Sequence, residues 1–203
     1  MNRKKGVFIC ILVLGVFFSI PVLASTEKSN VRAYLSNSNQ TISTSSWTKA
    51  QLNSEEFDTK DEFDSSTNYR FVATEEGYYQ VNGSARIANL GDAKSLGIAF
   101  YKNGSDYSST IVNSGTAGSR SVVLSDVIYL DVDDYIELYV FHAQGIDRDL
   151  DAFQQRTFLS ISQITNEGDN TIVVEDLNLL IRTLTWALGI IIFILVIKLF
   201  LCR

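Results

Sequence analysis

Apolar and polar residues alternate with a period of two through most of this chain, from Val31 to Ile164. In the stretch Tyr79–Ile87, every second residue is apolar or small and the residues between them are polar. A β-strand turns successive side chains to opposite faces, so this pattern predicts strands with one buried and one exposed face. Because the region lacks the 3.6-residue periodicity of helices, we expect it to be all-β.

The predicted strands are short, and a strong turn signal follows one of them. The dipeptide Asn103-Gly104 comes directly after the strand pattern that ends at Tyr101, and Asn-Gly accepts the two positive φ values of a type I′ hairpin turn. Eight to ten such strands predict an antiparallel sandwich or jelly roll. The predicted strands are Val31–Leu35, Trp47–Leu52, Tyr69–Val72, Tyr79–Ile87, Leu96–Tyr101, Ser121–Leu130, Tyr135–His142 and Arg156–Ile164.

The first 24 residues have the three parts of a secretory signal peptide. Basic residues at 3–5 precede the apolar run Val7–Phe18, and small side chains stand at −3 and −1 relative to a cut after Ala24. Pro21 breaks the helix shortly before that cut. We therefore expect residues 1–24 to be removed. The alternative left open is an uncleaved N-terminal anchor.

A second apolar run, Leu184–Leu201, predicts a transmembrane helix. Its 18 residues extend about 27 Å as a helix, and the residues just upstream can supply the rest of a bilayer core of about 30 Å. Trp186 stands at an interfacial position, and Lys198 and Arg203 favour the cytoplasmic side. These features predict a single-pass type I protein of the cell membrane, with residues 202–203 in the cytoplasm. The competing interpretations are a buried core helix, which would have no helical partner here, and a removable sorting tail.

Residues 166–183 differ from the strands and from the membrane segment. A polar hinge begins at Asn166, and Leu177, Leu180 and Ile181 then recur at helical spacing. This pattern predicts a short amphipathic stalk. Its apolar stripe fits packing against copies of itself in an oligomer, and it fits equally well lying on lipid headgroups.

The charge of the chain is distributed unevenly between these segments. The total is −6, from 17 basic and 23 acidic residues. Five basic residues lie within 1–24 and 184–203, so residues 25–183 keep 12 basic and all 23 acidic residues, a net charge of −11. Nucleic acid is excluded as a partner, because its phosphates require clustered Lys and Arg. Cations and basic surfaces fit this charge better.

The cysteine and histidine counts limit how the domain is stabilised. The whole chain has one His and two Cys, too few for a zinc finger or a His-rich metal centre. Residues 25–183 contain no Cys, Pro or Met. An extracellular domain without disulfides needs a hydrophobic core, and the 159 residues of this segment suffice, since a chain of that size buries about 70% of its unfolded surface.

Six segments of the predicted all-β region form a pattern when they are taken in sequence order. They are Trp47–Lys49, Phe57–Asp64, Asn68–Val81 with its Gly77-Tyr78-Tyr79 step, Leu96–Gly104, Val122–Leu138 and Thr157–Ile164. In this order they resemble one extracellular family, the complement C1q globular domain. The resemblance extends over about 31–165, and the segment with Gly77-Tyr78-Tyr79 and the last strand are its more specific parts.

The resemblance implies a ten-stranded jelly roll at 25–165, shared with tumour-necrosis-factor-like (TNF-like) proteins, that forms homotrimers and binds partners without catalysis. Two features depart from the family pattern. No collagen-like repeat precedes the domain, and Asp133 stands where the family has a glycine that accepts the tight turn more readily. The lack of cysteine in the domain is typical of prokaryotic-type members, here with a membrane anchor.

Asp147, Asp149 and Asp151 form the one candidate metal site. Carboxylates at alternating positions of a loop can converge on calcium, and family members sometimes bind calcium near loops of the trimer apex. The Gly and Glu that complete an EF-hand are replaced by Ala152 and Phe158. The competing interpretation is a solvated acidic loop, and no other cofactor is expected.

Catalysis is the weakest functional hypothesis. His142 continues a strand face, and no Gly-x-Ser-x-Gly elbow is present for a serine triad. Adjacent acids such as Asp61-Glu62 and Asp133-Asp134 point apart on a strand or turn, which does not suit a glycosidase pair. Three sequons, at Asn39, Asn82 and Asn103, are candidate glycosylation sites in an exported domain, and strand parity turns Asn82 outward.

Together these observations predict a membrane-anchored, C1q-like recognition or adhesion module that acts as a homotrimer outside the cell. Its partners would be its own copies, the membrane through residues 184–201, and an extracellular protein or glycan. A structural surface-assembly protein that uses the jelly roll for trimerisation is the alternative, and a hydrolase is a second, weaker one.

Overall fold

The computed structural model describes residues 27–164 and 170–201. The predicted signal peptide, residues 166–169 of the predicted hinge and the two C-terminal residues lie outside the described residues. The described part contains 13 strands and one helix. They are β1 (Asn30–Tyr34), β2 (Gln40–Ile42), β3 (Thr48–Lys49), β4 (Ser54–Asp58), β5 (Phe63–Asp64), β6 (Arg70–Val72), β7 (Gly77–Leu90), β8 (Ser95–Lys102), β9 (Ser105–Asn113), β10 (Gly118–Leu130), β11 (Tyr135–His142), β12 (Arg148–Leu150), β13 (Phe158–Ile164) and α1 (Asn170–Leu201).

The strands form two antiparallel sheets. The seven-stranded sheet has the order β2-β12-β7-β13-β1-β4, with β10 also paired to β7, and the six-stranded sheet has the order β5-β6-β11-β8-β9, with β3 also paired to β11. The predicted all-β class with a C-terminal apolar helix is thus confirmed. The strand count exceeds ten because five of the elements are only two or three residues long.

The alternating pattern places one continuous core between the two sheets. Tyr79, Phe71 and Phe100 are its largest fully buried side chains, and the rings of Phe71 and Tyr79 lie 5.5 Å apart. Gly83 of β7 faces this core, where a Cβ atom would lie 2.8 Å from Cε1 of Phe100. A glycine at this position therefore allows the aromatic ring to reach the backbone of the opposite sheet.

Two tight turns have the backbone geometry that their residues favour. Asn103 and Gly104 have φ values of 52° and 78°, which confirms the predicted hairpin between β8 and β9. Asp133, in place of the glycine expected from the family resemblance, has a φ of 71°. Aspartate is one of the few residues with a side chain that adopts this left-handed conformation readily, so the turn between β10 and β11 is kept.

The helix α1 runs from Asn170 to Leu201 without interruption. Within it, Leu177–Leu201 is a candidate membrane span of 25 residues, long and apolar enough to cross a bilayer at about 37 Å. The span begins before residue 184 because the apolar residues of the predicted stalk continue in the same helix.

Candidate functional site

The solvent side of the seven-stranded sheet, called the outer face below, exposes large apolar side chains. Val123 of β10 is 69% exposed and Tyr78 of β7 is 51% exposed, although both belong to strands that pair with each other. Exposure of apolar side chains to water is unfavourable, and a cluster of exposed apolar side chains is typical of an interface. The exposed large apolar residues of this face are Phe57, Tyr78, Val123, Val127, Tyr129 and Ile164.

The apolar residues at one end of the outer face form a continuous patch across three strands. Tyr78 is paired with Tyr129 on one side and with Ile164 on the other, so these three side chains stand in one row. The rings of Tyr78 and Tyr129 meet edge to face with centroids 5.1 Å apart, a favourable arrangement of two aromatic rings. The nearby Glu76 carboxylate raises the pKa of the Tyr129 hydroxyl, a group that is already uncharged at neutral pH.

Polar side chains in the middle of the outer face bond to one another. Nε2 of Gln80 donates to Oγ of Ser125 at 3.0 Å, and that hydroxyl donates to Oδ1 of Asn82 at 2.8 Å. These groups therefore satisfy part of their hydrogen-bonding capacity without water. Covering these paired groups with a partner surface would cost less desolvation free energy than covering unpaired polar groups.

A charged contact lies at the other end of the outer face. The guanidinium of Arg32 stacks on the ring of Phe158 at 4.1 Å, and its Nε donates to Oε2 of Glu56 at 2.6 Å. Nη2 of Arg32 also donates to the carbonyl oxygen of Gln154 at 3.0 Å. These three contacts hold the arginine flat against the sheet, so it does not project from the face.

The three candidate sequons lie in different settings. Asn39 is exposed and its Oδ1 accepts from the backbone N of Ala152 at 2.9 Å. Asn103 is exposed in the hairpin turn, where its Nδ2 donates to Oδ1 of Asp134 at 2.6 Å. Asn82 is half-buried, and a sugar there would stand in the middle of the outer face. Glycosylation stays a prediction at all three positions.

The structure places Arg148–Leu150 in strand β12, so this part of the predicted acidic loop is a strand. Leu150 is fully buried there and pairs with Ile87 of β7, which explains why the segment joins the sheet. Sequence reasoning missed this strand because the flanking carboxylates at 147, 149 and 151 hide its single apolar residue.

The three carboxylates of the candidate calcium site contact different neighbours. Oδ1 of Asp147 accepts from the backbone N of Thr44 at 3.2 Å. Oδ2 of Asp151 forms an ion pair with Nε of Arg86 at 3.0 Å, and burial raises the pKa of Asp151. Asp149 is exposed. Within 27–164 and 170–201, no group of three or more His, Cys, Asp or Glu residues is arranged to hold a metal. Calcium binding at Asp147, Asp149 and Asp151 stays a prediction.

His142 is buried at the end of β11 and both of its ring nitrogens have partners. Nε2 lies 3.0 Å from the carbonyl oxygen of Ile42, and Nδ1 accepts from the backbone N of Gln144 at 3.3 Å. This pattern fits a neutral ring with its proton on Nε2. The histidine thus joins strands of the two sheets, which is a structural role.

The outer face was not predicted, although the sequence contains a sign of it. In Ser121–Leu130 both members of the pairs Val122-Val123 and Val127-Ile128 are apolar, which interrupts the alternation. A strand that is apolar on both sides is typical of a sheet covered on both faces. The pattern therefore indicates a second covered face, opposite the core.

Comparison with known proteins supports the fold alone. No protein-family model matches the chain, and no curated protein matches it. The structure of Eiger TNF from S. frugiperda has a TM-score of 0.54 and 9% identity, with 68% of this chain and 94% of that chain covered. Murine APRIL at pH 5.0 has a TM-score of 0.51 and 11% identity, and at pH 8.0 the values are 0.51 and 13%; each match covers 68% of this chain and 100% of that chain. The sandwich therefore has the TNF-like jelly-roll fold.

Proposed function

We propose that this chain is a membrane-anchored extracellular recognition module of the C1q and TNF type that acts as a homotrimer. The proposal includes a prokaryotic-type member of that group, a choice that rests on the lack of cysteine in residues 25–183. The observation that carries self-association is the apolar patch on the outer face. Proteins with the TNF-like fold are usually trimeric, and the TNF-family neighbours are not enzymes.

The outer face supplies what a self-association surface requires. It has an aromatic patch at one end and a polar centre whose side chains bond to one another. The charge of Arg32 on this face is paired with Glu56. Burial of such apolar side chains contributes about 25 cal/mol per Å². Self-association through this face requires that Asn82 carry no sugar.

The anchor gives the module its proposed place at the cell membrane. The candidate span Leu177–Leu201 would hold the jelly roll next to the bilayer, in a type I orientation if the predicted signal at 1–24 directs export. A trimer would present three equal binding surfaces to an extracellular protein or glycan. Simultaneous binding at these surfaces would increase the avidity of the trimer for its partner.

The test is the mass of the full chain in detergent micelles, measured by light scattering with the detergent contribution subtracted. We expect a trimer for the natural sequence. We expect Val127→Glu to give monomers, because the new carboxylate would be buried against a neighbouring subunit without a partner, at several kcal/mol per subunit.

Ile111→Glu is the matched control. Ile111 is 56% exposed, but it lies on β9 of the six-stranded sheet, so the same change of charge leaves the outer face intact. A monomeric natural chain at high concentration would contradict the proposal. Equal loss of the trimer in both variants would show that the outer face is not the interface.

A further inference from the structure

An acidic cleft of about 340 Å³ opens beside β5 and β6, next to the turn that joins β10 to β11. Four of its eight lining residues are Asp61, Glu62, Asp64 and Asp133, and no basic residue lines it. Its lining residues at 61–64 and 72–74 lie in or beside β5 and β6 of the six-stranded sheet, whereas the outer face belongs to the seven-stranded sheet. Self-association through the outer face therefore does not use the strands that line the cleft.

Two of the nearby carboxylates are already engaged. Asp64 accepts from the backbone N of Thr67 at 2.8 Å and from the backbone N of Ser66 at 3.0 Å, and these donors hold the pKa of Asp64 well below its usual range. Asp134, adjacent to the cleft, forms an ion pair with Nζ of Lys102 at 2.8 Å. By contrast, the exposed carboxylates of Asp61 and Asp133 have no hydrogen bond or ion pair within residues 27–164.

Glu62 is the observation that points to a ligand. It lines the cleft but is only 4% exposed. Its Oε1 accepts from the backbone N and the hydroxyl of Thr74, which also lines the cleft, whereas its buried Oε2 has no partner among the described residues. A buried carboxylate oxygen without a donor is unfavourable, and a bound cation with N–H donors would remove that penalty.

The arrangement favours a planar organic cation over a metal ion. In the described part of the chain, no three acidic, His or Cys side chains are placed to hold a metal ion. A guanidinium has five donors in a rigid plane and can pair with carboxylates that stand apart. The volume of about 340 Å³ is at the lower limit of small-ligand pockets, which suits one side chain.

We infer that this cleft binds an arginine side chain of an extracellular protein partner, with Glu62 at its wall and Asp61 and Asp133 at its exposed margin. The inference rests on the proposed recognition function and assigns it a site and a partner chemistry. The net charge of −11 over residues 25–183 would steer a basic partner surface towards the domain.

The experiment titrates the full chain in detergent micelles with N-acetyl-arginine-amide at low ionic strength and follows binding by calorimetry. N-acetyl-citrulline-amide, which has the same shape without the charge, is the matched ligand control. We expect the arginine probe to bind and the citrulline probe not to bind. We expect Asp133→Asn to weaken the arginine probe about fivefold to tenfold, since asparagine keeps the left-handed turn but removes the charge.

Asp106→Asn is the matched protein control, because Asp106 is an exposed carboxylate of β9 whose only hydrogen bond among the described residues is a 3.4 Å contact with Ser109. Three results would overturn the inference. They are an equal loss of affinity for the arginine probe in both variants, equal binding of the arginine and citrulline probes, and saturable binding of Ca²⁺ without arginine binding. Light scattering on the same samples reports the trimer separately. A trimer that does not bind arginine refutes only the cleft, and a monomer that binds arginine refutes only the assembly.

Discussion

The close approach of the two sheets at Gly83 predicts a size exchange with Phe100. A Cβ atom at position 83 would lie 2.8 Å from Cε1 of Phe100 and 3.0 Å from Cδ1 of Leu138, both shorter than a normal contact. All three residues lie in the core, so Gly83→Ala requires the neighbours to shift. Overpacking of this kind costs about 1–3 kcal/mol, reduced by about 0.5–1 kcal/mol because alanine restricts the unfolded chain.

Phe100→Leu removes the ring that the new methyl group would contact. Alone, this variant leaves a partly filled cavity, for which we expect a loss of about 1–2 kcal/mol. In the double variant the methyl group occupies part of that space. We therefore expect the double variant to be more stable than the sum of the single losses predicts, by about 1 kcal/mol.

The assay is urea unfolding of the full chain in detergent micelles, followed by near-ultraviolet circular dichroism, with all variants at one protein concentration. Gly91→Ala is the comparison variant, because the atoms nearest to a Cβ atom there belong to the side chain of Gln144, at 3.3 Å, and not to the core. We expect a loss of at most about 1 kcal/mol, since the change disturbs only the hydrogen bond from the backbone N of Gly91 to Gln144. Additive losses from Gly83→Ala and Phe100→Leu would refute the contact, and so would a Gly83→Ala variant as stable as the natural chain.

Two further predictions concern acidic residues. Hydrogen bonding to Lys102 lowers the pKa of Asp134 to about 2 from 3.8. The contribution of the Asp134 carboxylate to the free energy of unfolding is therefore present above pH 4 and disappears as the pH falls from about 4 to about 2. We expect Asp134→Asn to lower the free energy of unfolding by about 1 kcal/mol at neutral pH, because the ion pair with Lys102 is partly solvated. In urea unfolding, the difference between this variant and the natural chain should vanish near pH 2. A difference independent of pH would contradict this prediction. If Asp147, Asp149 and Asp151 bind calcium, the melting midpoint should be higher in millimolar Ca²⁺ than in chelator, and Asp149→Asn should abolish the rise. An unchanged midpoint for the natural chain would reject that site.

The strands and their turns were largely predictable because they depend on local patterns. Tyr135–His142 was predicted with the bounds that β11 has, since turn residues flank this strand on both sides. Trp47–Leu52 was predicted too long: β3 pairs only with Tyr139 and Val140, and β6 occupies the rest of that edge of β11. Competition between two segments for one edge is a tertiary effect that local alternation does not contain.

The candidate sites were less predictable because they join residues that are distant in sequence. The doubly apolar stretch Ser121–Leu130 is a sign of a second covered face, but only the pairing of β7 with both β10 and β13 brings Tyr129, Tyr78 and Ile164 into one patch. The acidic cleft likewise depends on strand pairing. Asp133, just before β11, and Glu62, just before β5, line the same cleft because β6 pairs with both strands.

By itself, the sequence determined the all-β class, the hairpin at Asn103-Gly104, the excess of acidic charge and the apolar helix near the C-terminus. These properties arise from side-chain alternation, backbone preference, charge and hydrophobic length, all of which act over a few neighbouring residues. Only the tertiary structure decided which apolar side chains remain exposed and which carboxylates lack partners. Both depend on the register between strands, because a shift of one residue turns every side chain of a strand to the opposite face.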